Sequence, residues 1–226
     1  MSSRPRKPIV IETFVECLVQ AMHDYKIDKE GFAQKDLFPT AALLAGHLLK
    51  ESAATGHTTI CMAHMKKDNN RKWVARQLEK MGFEIEPYEC LLDIYCCTAM
   101  QPYQTLLTIE CEGACGQGKE LTSKSTPEDS EILWDLFKLL QVPSPIRIFM
   151  NLCTEKNRRI DLLERKIDSM VNMYRKTPRA ANETFSIVFP AGRLEGKEVN
   201  VYRWIASRSK PDMVPITQSM WRKPRR

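Results

Sequence analysis

The sequence predicts an α/β fold, a mixed central sheet flanked by helices, with a helical extension at the N-terminus. Three observations predict it. Segments with apolar residues at three- and four-residue spacing alternate along the chain with short runs of β-branched and aromatic residues. Of the 226 residues 43% are hydrophobic, enough to bury one good core. From Arg71 to Ser207 the predicted order is helix, three strands, helix, strand, helix, two strands, and no linker divides it.

Each element has its own signal. "VIETFVECLVQAMHDY" from Val10 and "LFPTAALLAGHLLKESA" from Leu37 have helical apolar spacing, with Pro39 suited to a first turn and Gly56 to a stop. "HTTICMAHM" is β-branched at its start, but its Met and Ala leave strand and helix open. "RKWVARQLEKMG" places Trp73, Val74, Leu78 and Met81 on one side and ends at Gly82 as a C-cap. "FEIEPYE" alternates apolar and acidic residues as a half-exposed strand does, and "LLDIYCCT" and "TLLTIECEG" are strands joined through "AMQPYQ". "TPEDSEILWDLFKLL" opens with an acidic first turn and continues as a helix to Leu140. "PSPIRIFMNLC" is a buried strand, "EKNRRIDLLERKIDSMVNMYRK" a long basic helix, and "ETFSIVFPAGRLEGKEVNVYRWIAS" two strands around a glycine-containing turn.

The formal charge of +6 is concentrated at the ends. "MSSRPRKP" carries three basic residues and "WRKPRR" four, with no acids, which leaves 27 basic against 28 acidic residues between them. The expected organisation is therefore a basic arm and helical extension over 1–56, an α/β core over 57–207 and a basic tail over 208–226. Basic ends of this kind either aid solubility or hold phosphates through counterion release. No run of eighteen apolar residues occurs, and the N-terminal basic residues precede no signal-peptide h-region, so neither a membrane span nor secretion is expected. Eight scattered cysteines, several inside apolar runs, suit free thiols in the cytoplasm or another reducing compartment. Neither a GxxxxGK[ST] phosphate loop nor a Gly-x-Ser-x-Gly elbow is present.

Acidic residues fall where apolar ones are expected. Between Glu79 and Glu112 there are seven acids and one base, Lys80, whereas Lys66 to Arg76 holds five bases against Asp68. If Gln101 and Pro102 centre a hairpin turn, antiparallel partners have numbers summing to about 203, and Asp93 faces Glu110. Glu110 and Glu112 share a strand face and Cys111 points to the other. Carboxylates crowded in this way need a proton, a basic partner or a cation, and hard oxygen ligands suit Mg²⁺ or Mn²⁺.

A helix followed by three strands, with Asp93 early in the second and Glu110-x-Glu112 late in the third at the place of a Glu-x-Lys, then a helix and another strand, resemble the PD-(D/E)xK restriction-endonuclease-like superfamily over about residues 71–153. That resemblance implies a nuclease-like fold and a metal-dependent phosphodiesterase in which Asp93 and Glu110 are catalytic metal ligands and Glu79 is an auxiliary acid. Two positions depart from the motif. Leu92 stands in place of the proline, and Glu112 in place of the lysine that positions the attacking water, with Lys119 the next lysine along. Glu112 is then the third catalytic candidate. Nucleic acid, DNA more readily than RNA, is the implied partner, held by Lys66, Lys67, Arg71 and Lys72 and by Arg158 and Arg159.

Two other readings use the same residues. "TTICMAHMKKDNNRKW" and "PIRIFMNLCTEKNRRI" align Ile60 with Ile148, Met62 with Met150, Asn69 with Asn157 and Arg71 with Arg159, as two helix-turn-helix units of a tandem winged-helix DNA binder would. Alternatively the chain is a catalytically inactive subunit of a larger assembly, with Trp134 and Phe137 facing a protein partner or a second copy. If the basic ends hold phosphates, deleting residues 1–8 and 221–226 flattens the slope of log affinity for nucleic acid against log salt. Fluorescence anisotropy over a salt series checks this, and an unchanged slope assigns the tails to solubility alone.

Overall fold

Among the described residues eight strands form one mixed sheet. The computed structural model describes residues 9–25, 32–52, 58–63, 69–87, 92–99, 103–113, 122, 124–153, 160–174, 183–190, 192, 199–217 and 220. In chain order the elements are α1 (Ile11–Asp24), α2 (Gln34–Glu51), β1 (Thr58–Met62), α3 (Asn69–Lys80), β2 (Glu84–Glu86), β3 (Ile94–Thr98) and β4 (Thr105–Gly113). They are followed by α4 (Glu131–Gln141), β5 (Ile146–Cys153), α5 (Ile160–Tyr174), β6 (Glu183–Pro190), β7 (Val199–Ile205) and β8 (Asp212–Ile216). No helix among the described residues is long and apolar enough to cross a membrane.

The strands lie in the order β2-β1-β3-β4-β5-β6-β7-β8. β4, β5 and β6 are parallel to one another, β1 is parallel to β2, and the remaining neighbours are antiparallel. Parallel strands need crossovers and burial on both faces, and α4 and α5 supply the crossovers. β5 and β6 accordingly read as nearly continuous buried runs. One face of the sheet packs against α1, α2 and α3 through Phe14, Leu18, Leu44, Leu48, Val74 and Leu78. The other packs against α4 and α5 through Leu133, Leu136, Leu139, Leu163 and Ile167.

The N-terminal helices form a full layer of this core. Phe14 of α1 stacks on Phe185 of β6 with ring centroids 4.1 Å apart, and Phe32 stacks on Phe189 at 4.2 Å. At the other end of the chain the sheet continues past residue 207, because β8 pairs antiparallel with β7. Buried Arg203 ties this edge together, bonding Glu183 at 2.7 Å with Asp212 3.8 Å away.

Several local expectations meet a different outcome. The segment "TTICM" is a strand, and it lies between β2 and β3, so the three strands read consecutively after α3 are not consecutive in the sheet. The reason is burial: β2 carries exposed Glu84 and Glu86 and suits an edge, whereas β1 buries Thr58, Thr59, Ile60 and Met62 and suits an interior place. The helix-turn-helix units of the tandem winged-helix reading are not formed, since Ile60–Met62 and Ile148–Met150 are strand residues of one sheet. The pairing of their sequences instead marks two β-α-β units, β1-α3-β2 and β5-α5-β6. Pro39 lies inside α2 rather than in its first turn. The Asp36 carboxylate accepts the Ala33 N–H at 2.9 Å and starts that helix earlier. The expected cap at Gly82 is present: its φ is 95°, its N–H donates to Glu79 O and the Phe83 N–H donates to Leu78 O, a Schellman closure.

α2 and α3 approach through Gly46. A Cβ there would lie 2.6 Å from Leu78 Cδ2 and 3.1 Å from Met81 Sδ. Helix propensity alone favours a side chain over glycine, but this contact excludes one. Gly46→Val is expected to cost about 1–3 kcal/mol by overpacking. A urea denaturation series measures it, and a variant as stable as the parent would mean that the two helices are not held at this distance.

Candidate functional site

The β3/β4 register pairs Ile94 with Ile109, so residue numbers sum to 203 at this end of the hairpin and the next pair outward is Asp93 with Glu110. Asp93 lies one residue before β3, where the backbone ladder stops. The two carboxylates continue the ladder with side chains. Asp93 N–H donates to Glu110 Oε2 at 3.1 Å, and Cys111 N–H donates to Asp93 Oδ2 at 3.0 Å. The Asp93 carbonyl accepts the Ala63 N–H at 3.0 Å, which ties the same point to the end of β1.

α4 completes the site. Its leucines at 133, 136, 139 and 140 are buried against the sheet, and this fixes the rotation of the helix about its axis. Asp135 and Lys138, three residues apart, stand at the border of that stripe. Lys138 Nζ donates to Asp135 Oδ1 at 2.6 Å and to Glu110 Oε1 at 3.0 Å. A strand end, a strand centre and a helix therefore bring three carboxylates and one ammonium together. The sequence reading missed Asp135 and Lys138. The available signal was a pair of opposite charges at i, i+3 inside "ILWDLFKLL", where most other positions are apolar.

Burial dominates the electrostatics. It raises Asp93 above the usual carboxylate range, against the opposing Cys111 N–H bond and the nearby Arg71 charge. Burial, followed by the Asp93 charge, pushes Glu110 up to about 8, although Lys138 pulls the other way. The ion-pair geometry by itself argues for an ionised Glu110. Lys138 is shared with Asp135, however, and keeps a quarter of its side chain in solvent, so its attraction offsets only part of the desolvation. The Asp93–Glu110 pair thus holds a proton above the ordinary carboxylate range. For Lys138 itself burial works to lower the pKa, but the bonds to Asp135 and Glu110 outweigh it and the net shift is upward. Lys138 is an ammonium at neutral pH.

Glu112 is half-buried on β4, two residues beyond Glu110 and on the same strand face. Its carbonyl accepts Asn151 Nδ2 at 2.9 Å. The charges acting on Asp93 and Glu110 come from Asp135, Lys138 and, for Asp93, Arg71, so Asp135 takes the third acidic place beside the pair. Arg71 is tethered: its guanidinium lies 3.7 Å over the Phe38 ring and bonds the Ala63 carbonyl. Lys72 is exposed, and so is Glu79. Lys66, Lys67, Arg158, Arg159 and Lys119 lie outside the described residues, as do Gln101 and Pro102.

Among the described residues no group of three His, Cys, Asp or Glu is arranged to hold a metal ion. A pair of carboxylates is nevertheless what Mg²⁺ commonly takes from a protein. Asp93 keeps Oδ1 and Asp135 keeps Oδ2 without a hydrogen bond among the described residues, and both are hard oxygens beside Glu110. The donor set fits a hard divalent cation in kind. Both raised carboxyls bind protons that the unfolded chain releases, so their contribution to stability is full below the usual carboxylate range and is lost as pH rises through their raised pKa values, about 8 for Glu110. In EDTA, Tm is expected to fall between about pH 5 and pH 9, less so in Glu110→Gln and more steeply in Lys138→Met. Equal slopes in all three proteins would remove the pair as the origin. No protein-family model matches this chain, and no curated protein matches it.

Proposed function

We propose that the chain is a nucleic-acid-binding protein with a nuclease-like fold that hydrolyses phosphodiester bonds with Mg²⁺ or Mn²⁺ at Asp93 and Glu110. The observation that carries this reading is the pair of half-buried Asp93 and buried Glu110 joined to Lys138, with Nζ 3.0 Å from Glu110. The topology supports it. α2, the antiparallel neighbours β1, β3 and β4, then α4 and the parallel strand β5, follow the same order of helix, three strands, helix and strand that the resemblance implies. On this reading β1 is the first core strand, α3 and β2 are an insertion, Asp93 opens the second strand and Glu110 lies in the third.

Asp93 and Glu110 would hold the divalent cation, which when bound would supply polarisation of the phosphodiester and a lowered pKa for a bound water. The protein's own groups supply the rest. Lys138, charged at neutral pH, reaches the carboxylate pair from α4 and takes the part that the motif assigns to the residue at Glu112. It serves as a donor to a phosphate oxygen or to the attacking water, and its proton stays on Nζ. Asp135 holds the Lys138 ammonium in place by accepting its 2.6 Å hydrogen bond. Glu112, on the same strand face as Glu110, orients the water. The backbone bonds of Cys111 and Asp93 fix the carboxylates in advance, which lowers the cost of ordering them around a substrate.

One observation favours a second reading, an inactive member that serves as an interaction subunit. Both oxygens of Glu110 are already hydrogen-bonded, and Asp93 caps the β3/β4 ladder as a structural acid would. Cleavage of labelled DNA and RNA in Mg²⁺ and Mn²⁺ separates the two. The active reading expects no product from Asp93→Asn or Glu110→Gln and a rate lower by about 10²–10³ for Lys138→Met. It also expects millimolar Mn²⁺ to raise the Tm of the parent and not of Asp93→Asn. A parent protein that neither cleaves nor responds to Mn²⁺ would leave the scaffold reading.

A further inference from the structure

Trp134 and Phe137 are adjacent in sequence to the two α4 residues that enter the site. Their rings stack, with centroids 5.5 Å apart and planes inclined by 23°, and Phe137 meets Tyr174 of α5 edge-on at 5.8 Å. A ladder of three rings thus runs across the outer surface of α4 and α5 and ends at Trp134. That indole is 48% exposed, the most exposed tryptophan among the described residues. Phe137 packs against one side of it, and about half of the residue's surface is open to solvent.

The position of this open ring matters more than its exposure. Trp134 and Lys138 are four residues apart on one helix, hence neighbours on its surface with Cβ atoms about 5–6 Å apart. Lys138 in turn touches Glu110. A flat aromatic face beside a cation is what an unpaired base and its phosphate require, because every base has a π-face and the phosphate needs a positive partner. Exposed Glu131 lies one turn toward the N-terminus of α4, and its charge repels phosphate, so a bound strand would run from Trp134 toward Lys138.

We propose that Trp134, backed by Phe137, is a base-stacking platform for the substrate of this site, which makes that substrate a single-stranded or locally unpaired nucleic acid. In a duplex both faces of each base are already stacked, and a ring on a helix surface has nothing to replace. This assignment rests on the reading of the Asp93–Glu110 site as a nucleic-acid site, and it commits that site to one class of substrate.

The test uses the full chain and a fluorescein-labelled oligothymidylate, with a blunt duplex of matched length as the second probe, both in Ca²⁺. Anisotropy gives Kd for the parent, Trp134→Ala and Trp134→Phe, and circular dichroism melts verify that the variants fold. The expected result is that Trp134→Ala loses roughly tenfold or more in affinity for the single strand and little for the duplex, while Trp134→Phe keeps most of it. The parent also loses part of its tryptophan fluorescence on binding the single strand, and Trp134→Phe loses less. Three outcomes overturn the platform: unchanged single-strand affinity in Trp134→Ala, an equal loss on both probes, or a dimer of the parent that Trp134→Ala converts to monomer with binding intact. The last would assign the rings to a second copy. If the parent binds neither probe, the nucleic-acid reading of the site fails, and the platform with it.

Discussion

The burial of a parallel strand set on both faces governs this molecule. β4, β5 and β6 run parallel in the middle of the sheet, and a parallel strand set of this kind is stable only when both faces are covered. The crossovers α4 and α5 cover one face because they have to return the chain to the start of the next strand. The other face is left for α1 and α2, whose Phe14 and neighbouring Phe32 stack on rings of β6. The N-terminal helices are therefore needed by the core, and removing them would expose Phe185 and Phe189.

The same requirement builds the site. α4 must lie along β4 and β5, and its leucine stripe decides which side chains turn inward at the border. Asp135 and Lys138 stand there, over the point where β3 begins and the backbone ladder with β4 stops. At such an end the N–H groups of Asp93 and Cys111 would lack partners, and buried donors without acceptors cost about 1–3 kcal/mol each. The Glu110 and Asp93 carboxylates satisfy them. The acids that look misplaced in an apolar run thus have a structural use. Their burial nevertheless leaves negative charge incompletely balanced, and the raised pKa of both carboxyls expresses that imbalance. A bound proton, the Lys138 ammonium and a divalent cation are alternative ways to relieve it.

On α4 two ridges lie side by side. Asp135 and Lys138 turn toward the carboxylates, and Trp134 and Phe137 turn outward beside them. A helix repeats every 3.6 residues, so the two pairs stay side by side for a turn, and the polar centre borders the aromatic surface. The basic character of the chain lies mainly in its two ends, while the body is near neutral.

The opposition of Asp93 and Glu110 was legible in the sequence, because side chains alternate along strands and a hairpin pairs residues whose numbers have a constant sum. The α/β class, the Gly82 cap and nearly every helix were legible too, since apolar spacing and capping are local properties. The place of β1 between β2 and β3 was not, although the exposed Glu84 and Glu86 in β2 mark an edge strand once the sheet is known. Asp135 and Lys138 were legible as an i, i+3 pair but not as members of the site. Local pattern determines which residues form an element and which of its sides is apolar. Only the packing of that apolar side against strands distant in sequence decides the rotation of α4, and with it the 3.0 Å contact that brings Lys138 to Glu110.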